Sequence, residues 1–83
     1  MEEKQKPVHE IRLGRIRAAI WGHNNASGGT EYYTVISRVY KDDEGKWAQS
    51  HGYWPEDLPV ANKVGEMALI WIWKQKARLA TRN

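Results

Sequence analysis

Residues 11–21 read I-R-L-G-R-I-R-A-A-I-W, and they constrain the fold more than any other stretch. Apolar and basic residues alternate there, which is the period of a strand that buries one face. The phase changes at Gly14: Ile11 and Leu13 hold odd positions, whereas Ile16, Ala18 and Ile20 hold even ones. A one-residue slip carries a whole side-chain set across a sheet, so Gly14-Arg15 reads as a bulge or a strand break. Beyond it, Ile16, Ala18 and Ile20 form one face, and Arg15, Arg17, Ala19 and Trp21 form the other. Two guanidiniums and an indole on an open face suit a single-stranded nucleic acid, with charge for phosphate and a flat ring for a base. The same pattern also describes a solvated strand face whose Trp packs on another element.

The 83 residues allow one small domain with a modest core, for which dimerisation is a natural source of extra buried area. The sequence has five Trp and four Tyr but no Phe. Trp and Tyr carry a polar handle and favour boundaries, so some of these rings are expected at a binding surface or subunit contact. There is no Cys, which excludes disulfides, thiolate metal sites and a Cys nucleophile. The opening M-E-E-K-Q-K-P has no apolar run and no segment has the length to cross a bilayer, so a cytoplasmic protein is expected. The net charge of +3 is mild but segregated. No acid falls between Glu10 and Glu31, a stretch holding Arg12, Arg15 and Arg17, and none follows Glu66. Segregated charge favours a polyanion-facing surface.

Residues 1–8 read as a disordered tail, 9–78 as a single domain and 79–83 as a basic tail. Strand material runs from His9 to about Gly22, and residues 23–29 form a loop rich in Asn and Gly. Glu31 to Lys41 is dense in β-branched and aromatic residues and reads as a strand whose faces the pattern leaves unassigned. Asp42-Asp43-Glu44-Gly45 reads as a hairpin turn with Gly45 in the left-handed slot. Lys46 to Tyr53 follows as a strand with Trp47, Gln49, His51 and Tyr53 on one side. Pro55 and Pro59 suit a turn and a helix start, with Glu56 and Asp57 at the positive end of the dipole. Leu58, Ala61, Val64, Ala68, Trp71 and Ile72 recur at helical spacing as a core stripe. Leu69, Ile70 and Trp73 are apolar too, more than one sheet can cover, so they are the expected homodimer interface unless the first strand or the tail covers them. The expected fold is α+β: a curved antiparallel sheet of three to four strands with one C-terminal helix packed on it.

Enzyme motifs are absent: no P-loop, no dinucleotide-binding turn and no His-Glu metal helix. His9, His23 and His51 lie on different segments with no metal-site spacing. Ser37, His51 and Asp57 could be written as a triad, but no oxyanion-hole context accompanies them. A non-enzymatic protein without metal or cofactor is expected.

The order strand, Gly break, strand, long loop, strand, acidic Gly turn, strand, helix resembles the positive-cofactor-four family of transcriptional coactivators. The matching text is I-R-L-G-R-I-R at 11–17, V-I-S-R-V-Y at 35–40, K-D-D-E-G-K at 41–46 and G-Y-W-P-E-D-L at 52–58, within about residues 9–73. The resemblance implies a dimer that binds single-stranded DNA on its open sheet face, as a transcription or DNA-processing accessory factor. Arg15, Arg17 and Trp21 would then be binding residues, with Arg38 and Trp47 as further candidates. The apolar, Trp-rich helix and the Gly-Gly loop depart from the pattern and leave the mode of pairing open. The phrase K-P-V-H-E-I-R-L-G-R-I-R-A-A-I-W at 6–21 is also similar to the opening of a set of short uncharacterised bacterial proteins. The competing expectation is a protein-interaction module that uses the Trp-rich surface on another protein.

Overall fold

Gly14-Arg15 is the two-residue turn of a hairpin joining β1 (His9–Leu13) to β2 (Ile16–Asn24). The two strands pair antiparallel, with Leu13 opposite Ile16 and Ile11 opposite Ala18. Gly14 has φ +58°, and among the described residues only glycines have positive φ. Positive φ at the first central position alone marks a type II′ turn, whose twist suits the flanking strands. An odd position before this turn faces the same way as an even position after it. The phase change therefore keeps the apolar set on one face, which an uninterrupted strand could not do.

The structure is a computed structural model that describes residues 6–80, with side chains to residue 78. Two further strands, β3 (Thr30–Lys41) and β4 (Trp47–Ser50), complete an antiparallel sheet in the order β1-β2-β3-β4. Asn25 closes the β2–β3 loop, its Oδ1 accepting from the amides of Ser27 and Gly29 at 3.1 and 2.9 Å. Asp42 closes the β3–β4 turn by accepting from the amides of Glu44 and Lys46, both at 2.9 Å, and Gly45 takes φ +79° there as expected. The expected tails fall partly outside the described residues. Of the N-terminal tail, Val8 is tied to the sheet, its amide donating to the Ile20 carbonyl at 2.7 Å.

Strand partners share a face, so the register settles what the β3 sequence leaves open. Tyr32, Thr34, Ile36 and Arg38 stand opposite Gly22, Ile20, Ala18 and Ile16, on the side that the helix covers. Helix α1 (Leu58–Ala80) follows a short 3-10 turn at Pro55–Asp57. Val64 and Ala68 pack on Ile16, Ala18 and Ile20, and all five are buried. Around them lie Ile11, Tyr32, Ile36, Tyr53, Val60, Ala61, Trp71 and Ile72. Each fully buried Ile or Val contributes about 1.5–3 kcal/mol relative to exposure. Trp71 stacks flat on His9 of β1, with centroids 4.6 Å apart and planes at 3°, and meets Tyr32 of β3 edge-on at 5.7 Å. One indole thus ties the helix to both flanks of β2.

Two details differ from the expected pattern. Leu58 is half-exposed and lies outside the core stripe, because it begins the helix at the sheet margin. Strand β4 ends at Ser50, so His51 and Tyr53 do not continue the Trp47 side. Both turn instead to the Ile36 carbonyl: the Tyr53 hydroxyl donates at 2.7 Å and His51 Nδ1 lies at 2.9 Å. Tyr53 packs against the core, and burial pushes its hydroxyl pKa up.

Candidate nucleic-acid interface

Among the described residues, no element covers the sheet face opposite α1. This face presents Glu10 and Arg12 from β1, Arg17, Ala19, Trp21 and His23 from β2, Glu31, Tyr33, Val35, Ser37, Val39 and Lys41 from β3, and Trp47 and Gln49 from β4. Small residues floor its centre. Ala19 and Ser37 are buried beneath longer neighbours, and the Ser37 hydroxyl donates to Gln49 Oε1 at 2.8 Å.

Cations gather at the end of this face near the two hairpin turns. Trp47 is 67% exposed. The Arg12 guanidinium carbon lies 6.0 Å from the Trp47 ring centroid, and Lys41 Nζ lies 5.3 Å from it. At this separation a cation is attracted by the negative face of the indole. Arg12, Arg17, Val39, Trp47, Ala48 and Gln49 line an open hollow of about 300 Å³. Among the described residues, Arg12 and Lys41 form no ion pair. Arg17 does: its Nε donates to Glu10 Oε1 and its Nη2 approaches Glu10 Oε2, both at 3.1 Å. The Arg17 hydrogen bond holds the Glu10 carboxyl below the ordinary carboxylate range, despite the opposing effect of desolvation.

The far end of the face is aromatic. Trp21 and Tyr33 are cross-strand partners, and Tyr33 is 68% exposed. Together with Gly22, His23, Glu31 and Tyr32 they line a second hollow of about 470 Å³.

Arg15, Arg17 and Trp21 therefore do not share one face as the alternation suggests. Arg17 and Trp21 do share it, but Arg15 occupies the hairpin turn and reaches the start of the helix. Its Nε donates to Asp57 Oδ1 at 2.8 Å and its Nη2 to Asp57 Oδ2 at 3.1 Å, with Glu56 at 3.5 Å. Arg38 faces the helix side, donating from Nε to the Gly52 carbonyl at 3.1 Å, with its guanidinium 5.0 Å from the Tyr40 ring centroid. Trp47 stands on the open face as expected. The alternation of residues 11–21 does not single out Arg12, and local pattern does not place Lys41 or Tyr33 on this face. Their placement follows once the Gly14 and Asp42–Gly45 turns set strand parity, because Arg12 then pairs with Arg17 and Lys41 with Trp47.

The residues that could be written as a triad are engaged separately: Ser37 with Gln49, His51 with the Ile36 carbonyl and Asp57 with Arg15. Among the described residues, no helix is long and apolar enough to cross a membrane. Leu69, Ile70 and Trp73 are 44, 43 and 61% exposed, on the side of α1 away from Val64 and Ala68. Neither the N-terminal strand nor the described part of the C-terminal segment covers them. No family model, curated protein or solved structure matches the chain.

Proposed function

We propose that the open sheet face binds single-stranded nucleic acid. Arg12, Lys41 and Arg17 take phosphates, and Trp47, Trp21 and Tyr33 offer ring faces to bases. The observation that carries this reading is the pair of cations, Arg12 and Lys41, held over the exposed indole of Trp47 without carboxylate partners among the described residues. Charge for phosphate beside a flat ring for an unstacked base is the combination a single strand needs, whereas duplex bases are already stacked. Arg15 and Arg38 support the fold in this proposal and leave the ligand to the other face. The proposed active form is a dimer, with Leu69, Ile70 and Trp73 covered by a second copy.

Titration of a labelled single-stranded oligonucleotide, with duplex competitor, tests the reading. Single-strand affinity that exceeds duplex affinity and falls with added salt supports it. Absence of binding at low salt refutes it.

A second reading rests on the same exposed helix side. Leu69, Ile70 and Trp73 form an apolar strip that a different protein could cover, making the domain an accessory interaction module. A wild-type protein that stays monomeric and ignores oligonucleotides favours this reading.

A further inference from the structure

We infer that the open face is a two-station site, with a salt-sensitive station at Trp47 and a salt-insensitive one at Trp21–Tyr33. A single strand must be long enough to bridge them to reach full affinity. This rests on the proposed single-strand binding and extends it to the length and layout of the ligand.

The two stations differ in chemistry. Arg12, Lys41 and Arg17 all lie toward the Trp47 end. The hollow at Trp21 and Tyr33 contains His23 and Glu31 and no Lys or Arg. A polyanion therefore gains charge neutralisation at one end and only ring contact at the other. The two ends are also well separated. Lys41 stands opposite Trp47 and Tyr33 opposite Trp21, and Lys41 lies eight positions along β3 from Tyr33. At ~3.3 Å per residue the backbone stations are about 26 Å apart. The floor between them carries Ala19, Val35 and Ser37, flanked by the mutually neutralising Arg17–Glu10 pair, so it gives a strand a path without a third ring to hold it. A strand stacked at ~3.4 Å per nucleotide covers this span in about eight nucleotides, and an extended strand covers it in fewer.

The test is a length series of oligothymidylates, about three to twelve nucleotides, titrated against the full chain, Trp21→Ala and Trp47→Ala at two salt concentrations. For wild type, affinity should rise by about tenfold or more across a narrow length interval, reflecting one additional stacked base. Trp21→Ala should abolish this step, weakening long oligonucleotides more than short ones, with little change in the salt slope. Trp47→Ala should weaken every length. Arg12→Ala and Lys41→Ala should each flatten the salt slope by about 0.7. Affinity that grows smoothly with length in wild type, or a Trp21→Ala loss equal at all lengths, overturns the two-station layout and leaves single-strand binding intact. Absence of binding by wild type at every length refutes the underlying reading as well. Circular dichroism of each variant establishes that it is folded before its affinity is compared.

Discussion

Arg15 grips Asp57 through both carboxylate oxygens, at 2.8 and 3.1 Å, and so pins the first hairpin turn to the start of the helix. Asp57 is buried, and its Oδ2 also lies 3.3 Å from the Trp54 amide. Arg15 thus holds the carboxyl below the ordinary carboxylate range, opposed by burial and aided by the Trp54 amide. Because the folded pKa is depressed, its stabilising contribution is fully present above the unfolded value, roughly 3.9, and disappears as pH falls through the lower folded value. Asp57→Asn should lower the thermal midpoint at neutral pH and reduce the further loss seen below about pH 4. An acid unfolding profile with the same slope as wild type would contradict this role.

Arg15→Ala separates structural from ligand roles. It leaves a buried carboxylate without its principal donor, so the thermal midpoint should fall. Oligonucleotide affinity, measured well below that midpoint, should stay within about twofold of wild type, since Arg15 is not on the open face. A tenfold loss of affinity in a folded Arg15→Ala protein would return this residue to the binding site.

Gly65 lies where the helix crosses Ile36, and a Cβ there would meet Ile36 Cδ1 at 3.5 Å, an ordinary contact. A helix-interior Gly costs about 1 kcal/mol relative to Ala. Gly65→Ala should therefore raise stability by about 0.5–1 kcal/mol in chemical denaturation. Gly14→Ala should do the reverse, by about 1–2 kcal/mol, because its φ of +58° is unfavourable for a residue with a Cβ. If Gly65→Ala is destabilising, the helix and sheet approach more closely than 3.5 Å implies.

Trp73→Glu tests the helix side. If a second copy covers Leu69, Ile70 and Trp73, a charge at the most exposed of the three should convert the dimer to a folded monomer. Sedimentation equilibrium reads the change directly. A wild-type chain that remains monomeric at high concentration excludes this interface.

Much of the fold is visible in the pattern of residues. The β-branched run at 30–41, the acidic turn at Gly45 and the apolar spacing of Val64, Ala68 and Trp71 each act over a few residues and read directly. The site is less legible, because placement on a face depends on parity across turns. A bulge at Gly14 would leave Arg15 beside Arg17, whereas the two-residue hairpin lifts Arg15 out of the strand and sets Arg12 opposite Arg17. Tyr53 reads as a strand residue until β4 ends at Ser50 and its hydroxyl finds the Ile36 carbonyl. The Arg15–Asp57 pair joins residues 42 positions apart, a separation that local periodicity does not encode.

The five tryptophans give the most direct test of where a ligand sits. Trp21 and Trp47 lie on the open face, Trp71 is packed between His9 and Tyr32, and Trp54 and Trp73 are exposed elsewhere. Indole N–H resonances in nitrogen–proton correlation spectra report each one separately. When a short single-stranded oligonucleotide is added at low salt, the Trp21 and Trp47 signals should shift together with the amides of Arg12, Arg17, Tyr33 and Lys41. The Trp54, Trp71 and Trp73 signals should stay in place. Shifts confined to Trp73 and its helix neighbours, or no shift at any tryptophan, would contradict binding on the open sheet face.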